Sequence, residues 1–173
     1  MGMSGIGAAI GDIDAATDQP GLLAGVDAAL DTIRAELAAH TPAGALAAAW
    51  SEVLRHSVAS AVRLAAPGQP WTWYVSGSVA RGEAAPGSDV ETMAVLDDDV
   101  DDDTKSELLA RAADVHVLLE HCGIRGDANG VLASRPRFCR TTSAWSDGIA
   151  HWTSDPREDR GVVMTGVLAD SRG

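Results

Sequence analysis

Apolar residues recur at three- and four-residue steps between positions 22 and 61, which is the spacing of the buried stripe of an amphipathic helix. One stripe consists of Leu22, Val26, Leu30, Ile33 and Leu37, and a second of Leu46, Trp50, Val53, Ser57 and Ala61. Thr41 and Pro42 stand between them and are typical of a helix N-cap followed by proline. We therefore predict two helices over residues 21–66, which form a packed brace or, alternatively, a dimer surface. Residues 1–20 are glycine-rich without a clear period, so we expect a flexible N-terminus.

The pattern changes after a proline- and glycine-rich tetrapeptide. Residues 71–75 are aromatic and β-branched, and together with 89–96 and 162–169 they predict strands. Two further helices are indicated by the stripes Leu108, Ala112, Val115, Leu119 and Cys122, and Trp145, Ile149 and Trp152. We expect both stripes to pack in the core. The predicted fold is α/β (α+β): a small mixed β-sheet core flanked by helices over residues 71–173, with the helical pair before it.

The segment from Gly77 to Glu91 carries the most chemistry. A Gly77-Ser78 turn follows the first predicted strand and can offer backbone N–H groups to phosphate oxygens. Asp89 and Glu91 open the next strand, where the period of two places them on one face with Cα atoms roughly 6.5–7 Å apart. Two carboxylates so placed can begin a site for Mg²⁺ or Mn²⁺. The alternative is a surface strand with two solvated acids.

These residues carry a resemblance to a known family. The signature consists of Gly77, Ser78, Arg81, Gly82, Glu83, Ser88, Asp89 and Glu91. It resembles the active-site signature of the polymerase-β-like nucleotidyltransferases. Within that superfamily the chain looks like the bacterial nucleotidyltransferase domain associated with CBS and cyclic-nucleotide-binding modules, which is related to protein-PII uridylyltransferases. Residues 130–136, Trp145, Trp152 and 169–172 resemble later blocks of that family in order and spacing.

The resemblance implies an enzyme and assigns roles to residues. It implies a third metal-binding carboxylate, Asp170, although the same residue could instead pair with Arg172 near the end of the chain. The implied catalytic and metal-binding residues are Asp89, Glu91 and Asp170, and the implied nucleotide-binding residues are Gly77, Ser78, Arg81 and Ser88. The implied reaction moves a nucleoside monophosphate from a nucleoside triphosphate, such as ATP, to a hydroxyl group on a protein or small molecule and releases pyrophosphate.

A second hypothesis is a catalytically weak module that senses nucleotides or binds a partner, and it includes an antitoxin-like minimal nucleotidyltransferase. It is favoured by Glu91, because the family more often has aspartate there. It is also favoured by the shortness of the chain, which has 173 residues, and by the absence of the helical domain that usually follows in the family.

The net charge limits which partners we expect, and the cysteine content limits which cellular compartment we expect. The net charge of −12 argues against a long nucleic acid, which needs a basic surface. Four arginines nevertheless cluster after the central helix: Arg125, Arg135, Arg137 and Arg140. They indicate a patch that binds phosphates or an acidic partner. The alternative is solvated charge on a loop.

Cys122 and Cys139 are expected to be reduced thiols of a cytoplasmic protein. No apolar run is long enough to span a membrane, and a homodimer remains open.

Overall fold

Three helices form the N-terminal part of the computed structural model, which describes residues 4–173: α1 (Ser4–Ala15), α2 (Gln19–Ala38) and α3 (Ala43–Ala65). The Asp18 side chain caps α2 by accepting a hydrogen bond from the Gly21 N–H at 2.9 Å. All five residues of the second predicted stripe are buried, and so are three of the first. Leu37 is 61% exposed, because it lies in the last turn of α2. The helical pair predicted over residues 21–66 is thus confirmed.

Helix α1 occupies most of the segment that we expected to be flexible, and for residues 4–20 that expectation is wrong; residues 1–3 lie outside the described residues. Its buried side chains are Ile6, Ala9 and Ile13. They recur at three- and four-residue steps, but the glycines and alanines between them hide this period. The helix packs closely on α2, since a Cβ at Gly25 would lie 2.7 Å from the Ile13 side chain.

Three strands form a mixed sheet in the order β1-β2-β3, with β1 at Trp71–Ser76, β2 at Glu91–Leu96 and β3 at Cys139–Thr141. Strand β1 is antiparallel to β2, and its last residue, Ser76, pairs with Glu91, the first of β2. Strand β3 runs parallel to β2. The predicted class, a small mixed sheet flanked by helices, is confirmed.

Helices cover both faces of the sheet. One face packs Val75 against α3 and α5 (Asp102–His121), whose predicted stripe is buried throughout. The other face packs Met93 against α6 (Thr142–Ser154) and α7 (Gly161–Ala169). A short helix, α4 (Gly77–Arg81), follows β1, and a 3₁₀ turn at Glu158–Arg160 precedes α7. Because the core around Val75 continues into α1 and α2, the N-terminal helices stabilise the same body as the sheet.

Helix α7 occupies residues that we predicted to form a strand, so the prediction for 162–169 is wrong. The buried residues of this segment are Gly161, Met164 and Val167, which are three positions apart and lie on one helical face. Packing on the sheet therefore overrides the β propensity of the valines. No helix among residues 4–173 is long and apolar enough to cross a membrane.

Candidate functional site

The bend after β1 brings Gly77 against Glu91. Gly77 has a φ of +61° and opens α4, whose first N–H groups have no partner within the helix. A Cβ at this position would lie 2.8 Å from Oε1 and 2.9 Å from Cδ of Glu91. The backbone conformation therefore favours glycine, and any larger residue would also push the end of the Glu91 side chain away from the bend.

The Glu91 carboxylate is half-buried and has no hydrogen-bond or ion-pair partner among residues 4–173. Burial raises its pKa above the ordinary value, and the nearby carboxylates of Asp127, Asp89 and Asp170 raise it further, while Arg81 lowers it. A partly desolvated carboxylate among like charges favours the uptake of a proton or of a cation.

An open cavity of about 380 Å³ lies at this bend. Its walls include Gly77, Ser78, Arg81, Glu91 and Asp170, which brings five of the seven predicted site residues to one place. Its remaining wall is α7, and the Ser76 hydroxyl attaches the bend to this helix by donating to the Val167 carbonyl at 2.6 Å.

Arg81 holds Asp170 at the cavity. Its guanidinium donates to the Asp170 carboxylate and, at 2.8 Å through Nε, to Glu83. Both contacts raise the pKa of Arg81. Asp170 thus pairs with Arg81 rather than with Arg172, whose backbone exchanges two 2.9 Å hydrogen bonds with Val75.

Asp89 and Ser88 lie apart from this cavity. They line another of about 260 Å³, next to Arg125 and Gly126. The Ser88 hydroxyl accepts a 3.0 Å hydrogen bond from the Ala85 N–H, and Asp89 is exposed. Across the described range, no three His, Cys, Asp or Glu side chains are grouped closely enough to hold a metal ion. The three predicted carboxylates therefore do not converge here, and their roles stay predictions.

Asp127 is a residue that sequence reasoning missed. It is buried, with 6% exposure, and its carboxylate accepts hydrogen bonds from the Val131 N–H at 2.9 Å and from the Asn129 side chain at 3.2 Å. After burial, its charge is the largest influence on the pKa of Glu91. The run Gly-Asp-Ala-Asn-Gly was a visible turn signal, but nothing local to it indicated that it would reach β2.

The predicted arginine cluster separates into parts. Arg137 and Arg140 share a cavity, whereas Arg125 donates to the Gly87 carbonyl at 3.0 Å and Arg135 is exposed in a loop.

Trp145 and Trp152 are buried as predicted, but Ile149 is 44% exposed. Two further side chains, Cys122 and Cys139, are free and buried.

A comparison with protein families identifies the class of domain to which this sheet, bend and cavity belong. Residues 28–159, more than half of the chain, match the family described as "Putative nucleotidyltransferase DUF294". The chain belongs to this family. No curated protein and no solved structure matches it. The matched range begins within α2, includes the predicted signature, and ends before α7 and Asp170.

Proposed function

We propose that the chain transfers a nucleoside monophosphate from a nucleoside triphosphate to a hydroxyl group on a protein or small molecule, with release of pyrophosphate and dependence on Mg²⁺ or Mn²⁺. One observation carries the proposal: the Glu91 carboxylate lies half-buried against Gly77, without a donor among residues 4–173, beside backbone N–H groups that suit a phosphate. Membership of the family supports the same reaction class.

The donor set fits a hard divalent cation in part. Glu91 and Asp89 are carboxylates without a protein partner in the described chain, and Mg²⁺ needs one or two such ligands beside water and phosphate oxygens. Asp170 would join them only after it leaves the guanidinium of Arg81. A bound cation would neutralise phosphate charge and lower the pKa of an acceptor hydroxyl.

The residues of the chain have separate tasks in this proposal. Glu91 would hold the cation that carries the triphosphate, and Asp89 would join it only by leaving the neighbouring cavity that it lines. The N–H groups at Gly77 and Ser78 would receive phosphate oxygens. Arg81 can move from Asp170 to the charge that develops on the phosphates. Positioning and charge neutralisation supply most catalysis of this kind.

The direct test is incubation with each labelled triphosphate, Mg²⁺ or Mn²⁺, and cell lysate, followed by measurement of labelled product and pyrophosphate. Asp89→Asn should abolish transfer without unfolding the protein. Asp99→Asn, which removes the same charge from an exposed loop, is the matched control. Full activity of the Asp89 variant would refute the assignment.

A nucleotide-sensing or partner-binding module with little turnover, of which an antitoxin-like protein is one form, is the second candidate. The pairing of Asp170 with Arg81 favours it, because that contact occupies the third predicted ligand. Metal-dependent binding of the triphosphate without release of pyrophosphate would identify this function.

A further inference from the structure

A third cavity, of about 340 Å³, is lined by three cationic side chains. Lys105 comes from the first turn of α5, Arg137 from the loop before β3, and Arg140 from β3 itself, while Pro136 and Ala144 complete the wall. The chain has 13 Lys and Arg residues against 25 Asp and Glu residues, so three cationic side chains around one cavity depart from the overall charge balance.

The cavity is separate from the site at Glu91. Arg140 pairs in register with Val95 of β2, which is four residues beyond Glu91 and therefore about 13 Å away along the strand. Both lie on the sheet face covered by α6 and α7. Between them stands Met93, buried against the two tryptophans of α6.

The guanidinium of Arg140 is held in a fixed orientation. Its Cζ lies 5.5 Å from the ring centroid of Trp145 and 5.2 Å from that of Trp152, and its Nε donates to the Arg137 carbonyl at 2.9 Å. Within residues 4–173 its terminal amino groups have no acceptor. A guanidinium that is partly removed from water and already oriented loses little entropy when it binds an anion.

The other two cations differ in their partners. Lys105 has no ion-pair partner in the described part of the chain, whereas Arg137 donates to the Asp159 carboxylate at 2.7 Å. Stacking alone explains why Arg140 lies over the tryptophans. It leaves the amino groups of Arg140 and the ammonium group of Lys105 without protein acceptors among residues 4–173, and an anion in the cavity would supply acceptors.

We propose that this cavity binds a phosphate-bearing small molecule or free phosphate, by non-covalent contacts of the tetrahedral anion with Arg140, Lys105 and Arg137. A guanidinium fork with an adjacent ammonium group matches the oxygens of a phosphate. The site requires no divalent metal and lies outside the cavity proposed for the triphosphate.

The test is titration of the full chain with inorganic phosphate and, separately, with phosphoserine, without divalent metal and at constant ionic strength. Arginine Hε–Nε resonances in NMR spectra report binding at Arg140 and Arg137. Lys105→Gln should weaken binding about tenfold, the effect of one charge-assisted hydrogen bond. Arg111→Gln, with the same charge change at an exposed position on α5, should leave binding unchanged. Tighter binding of phosphoserine would indicate an esterified ligand, and tighter binding of phosphate the free ion.

A variant with the opposite expectation makes the test sharper. Asp159→Asn removes the carboxylate that competes for Arg137 but keeps an oxygen for the indole N–H of Trp152, which now donates to Asp159 at 3.2 Å. It should tighten phosphate binding. Absence of saturable binding to the wild-type chain, or equal weakening by the variants at positions 105 and 111, would overturn the proposal. Glu91→Gln should leave phosphate binding unchanged. Failure of the proposed transfer reaction could therefore be distinguished from failure of this phosphate site.

Discussion

Gly77→Ala tests the contact on which the candidate site depends. The substitution introduces a methyl group where φ is +61° and where a Cβ would meet Oε1 of Glu91 at 2.8 Å. The backbone conformation costs about 1–2 kcal/mol for an L-residue, which corresponds to a fall in Tm of roughly 2–8 °C for a domain of this size. The close contact acts differently, because its other member is the end of a flexible side chain that can retreat.

The predicted effect on function is therefore larger than the effect on stability. Displacing a reacting or ligating group by about 1 Å can lower a rate roughly 100-fold, so we expect transfer to fall between about 10- and 100-fold. Rotating Glu91 away adds about 0.5–1.5 kcal/mol to the loss in stability.

Gly123→Ala is the matched control for this prediction. Gly123 has a φ of +76°, and no atom of residues 4–173 lies within 4 Å of the Cβ that a substitution would add, so it shares the backbone cost without the carboxylate. Both variants should be compared by thermal unfolding and by release of pyrophosphate in the presence of Mg²⁺. If the two lose activity equally, or if Gly77→Ala retains full activity at unchanged metal affinity, the reasoning about Glu91 is refuted.

Three other substitutions give further tests. Glu91→Gln should abolish transfer yet raise Tm at pH 7, because burial raises the pKa of the Glu91 carboxylate and its ionisation at higher pH therefore opposes folding. The gain in Tm should vanish well below pH 4.5, where the carboxylate is protonated in both the folded and the unfolded state. A lower Tm of the variant at pH 7 would contradict this reasoning. Asp170→Asn should lower transfer at least about tenfold with little change in Tm. The control, Glu83→Gln, removes the other carboxylate that pairs with Arg81 and should retain transfer. Equal activities of the two variants would argue against Asp170 as a metal ligand. Thr92→Val should lower the free energy of unfolding, measured in urea, by about 1–3 kcal/mol. The reason is that the buried Thr92 hydroxyl accepts a hydrogen bond from the Ala133 N–H and contacts Nε2 of His116, both at 3.0 Å. Unchanged stability would show that these contacts contribute nothing.

Much of the fold could be predicted because the signals are local. The stripes of α2, α3 and α5 are periodic over four or more turns, and strand β1 follows a proline-rich break. The prediction was wrong where local composition and packing disagree. In α1 small residues concealed the period, and in α7 valines suggested a strand although Met164 and Val167 pack in the core beside Met93 as parts of a helix.

The candidate site also combines features that local sequence signals predict with features that depend on long-range packing. Sequence patterns were enough to predict the Gly77-Ser78 bend, the spacing of Asp89 and Glu91, and the excess of acidic residues, because each can be read directly from the order or number of residues. The folded arrangement was needed to show that Glu91 faces Gly77 while Asp89 lines another cavity, that Asp170 pairs with Arg81, and that Arg140 is fixed over two tryptophans. These contacts join residues far apart in the chain, so their geometry depends on the strand register and on how α6 and α7 pack on the sheet, and neither leaves a pattern in any one segment.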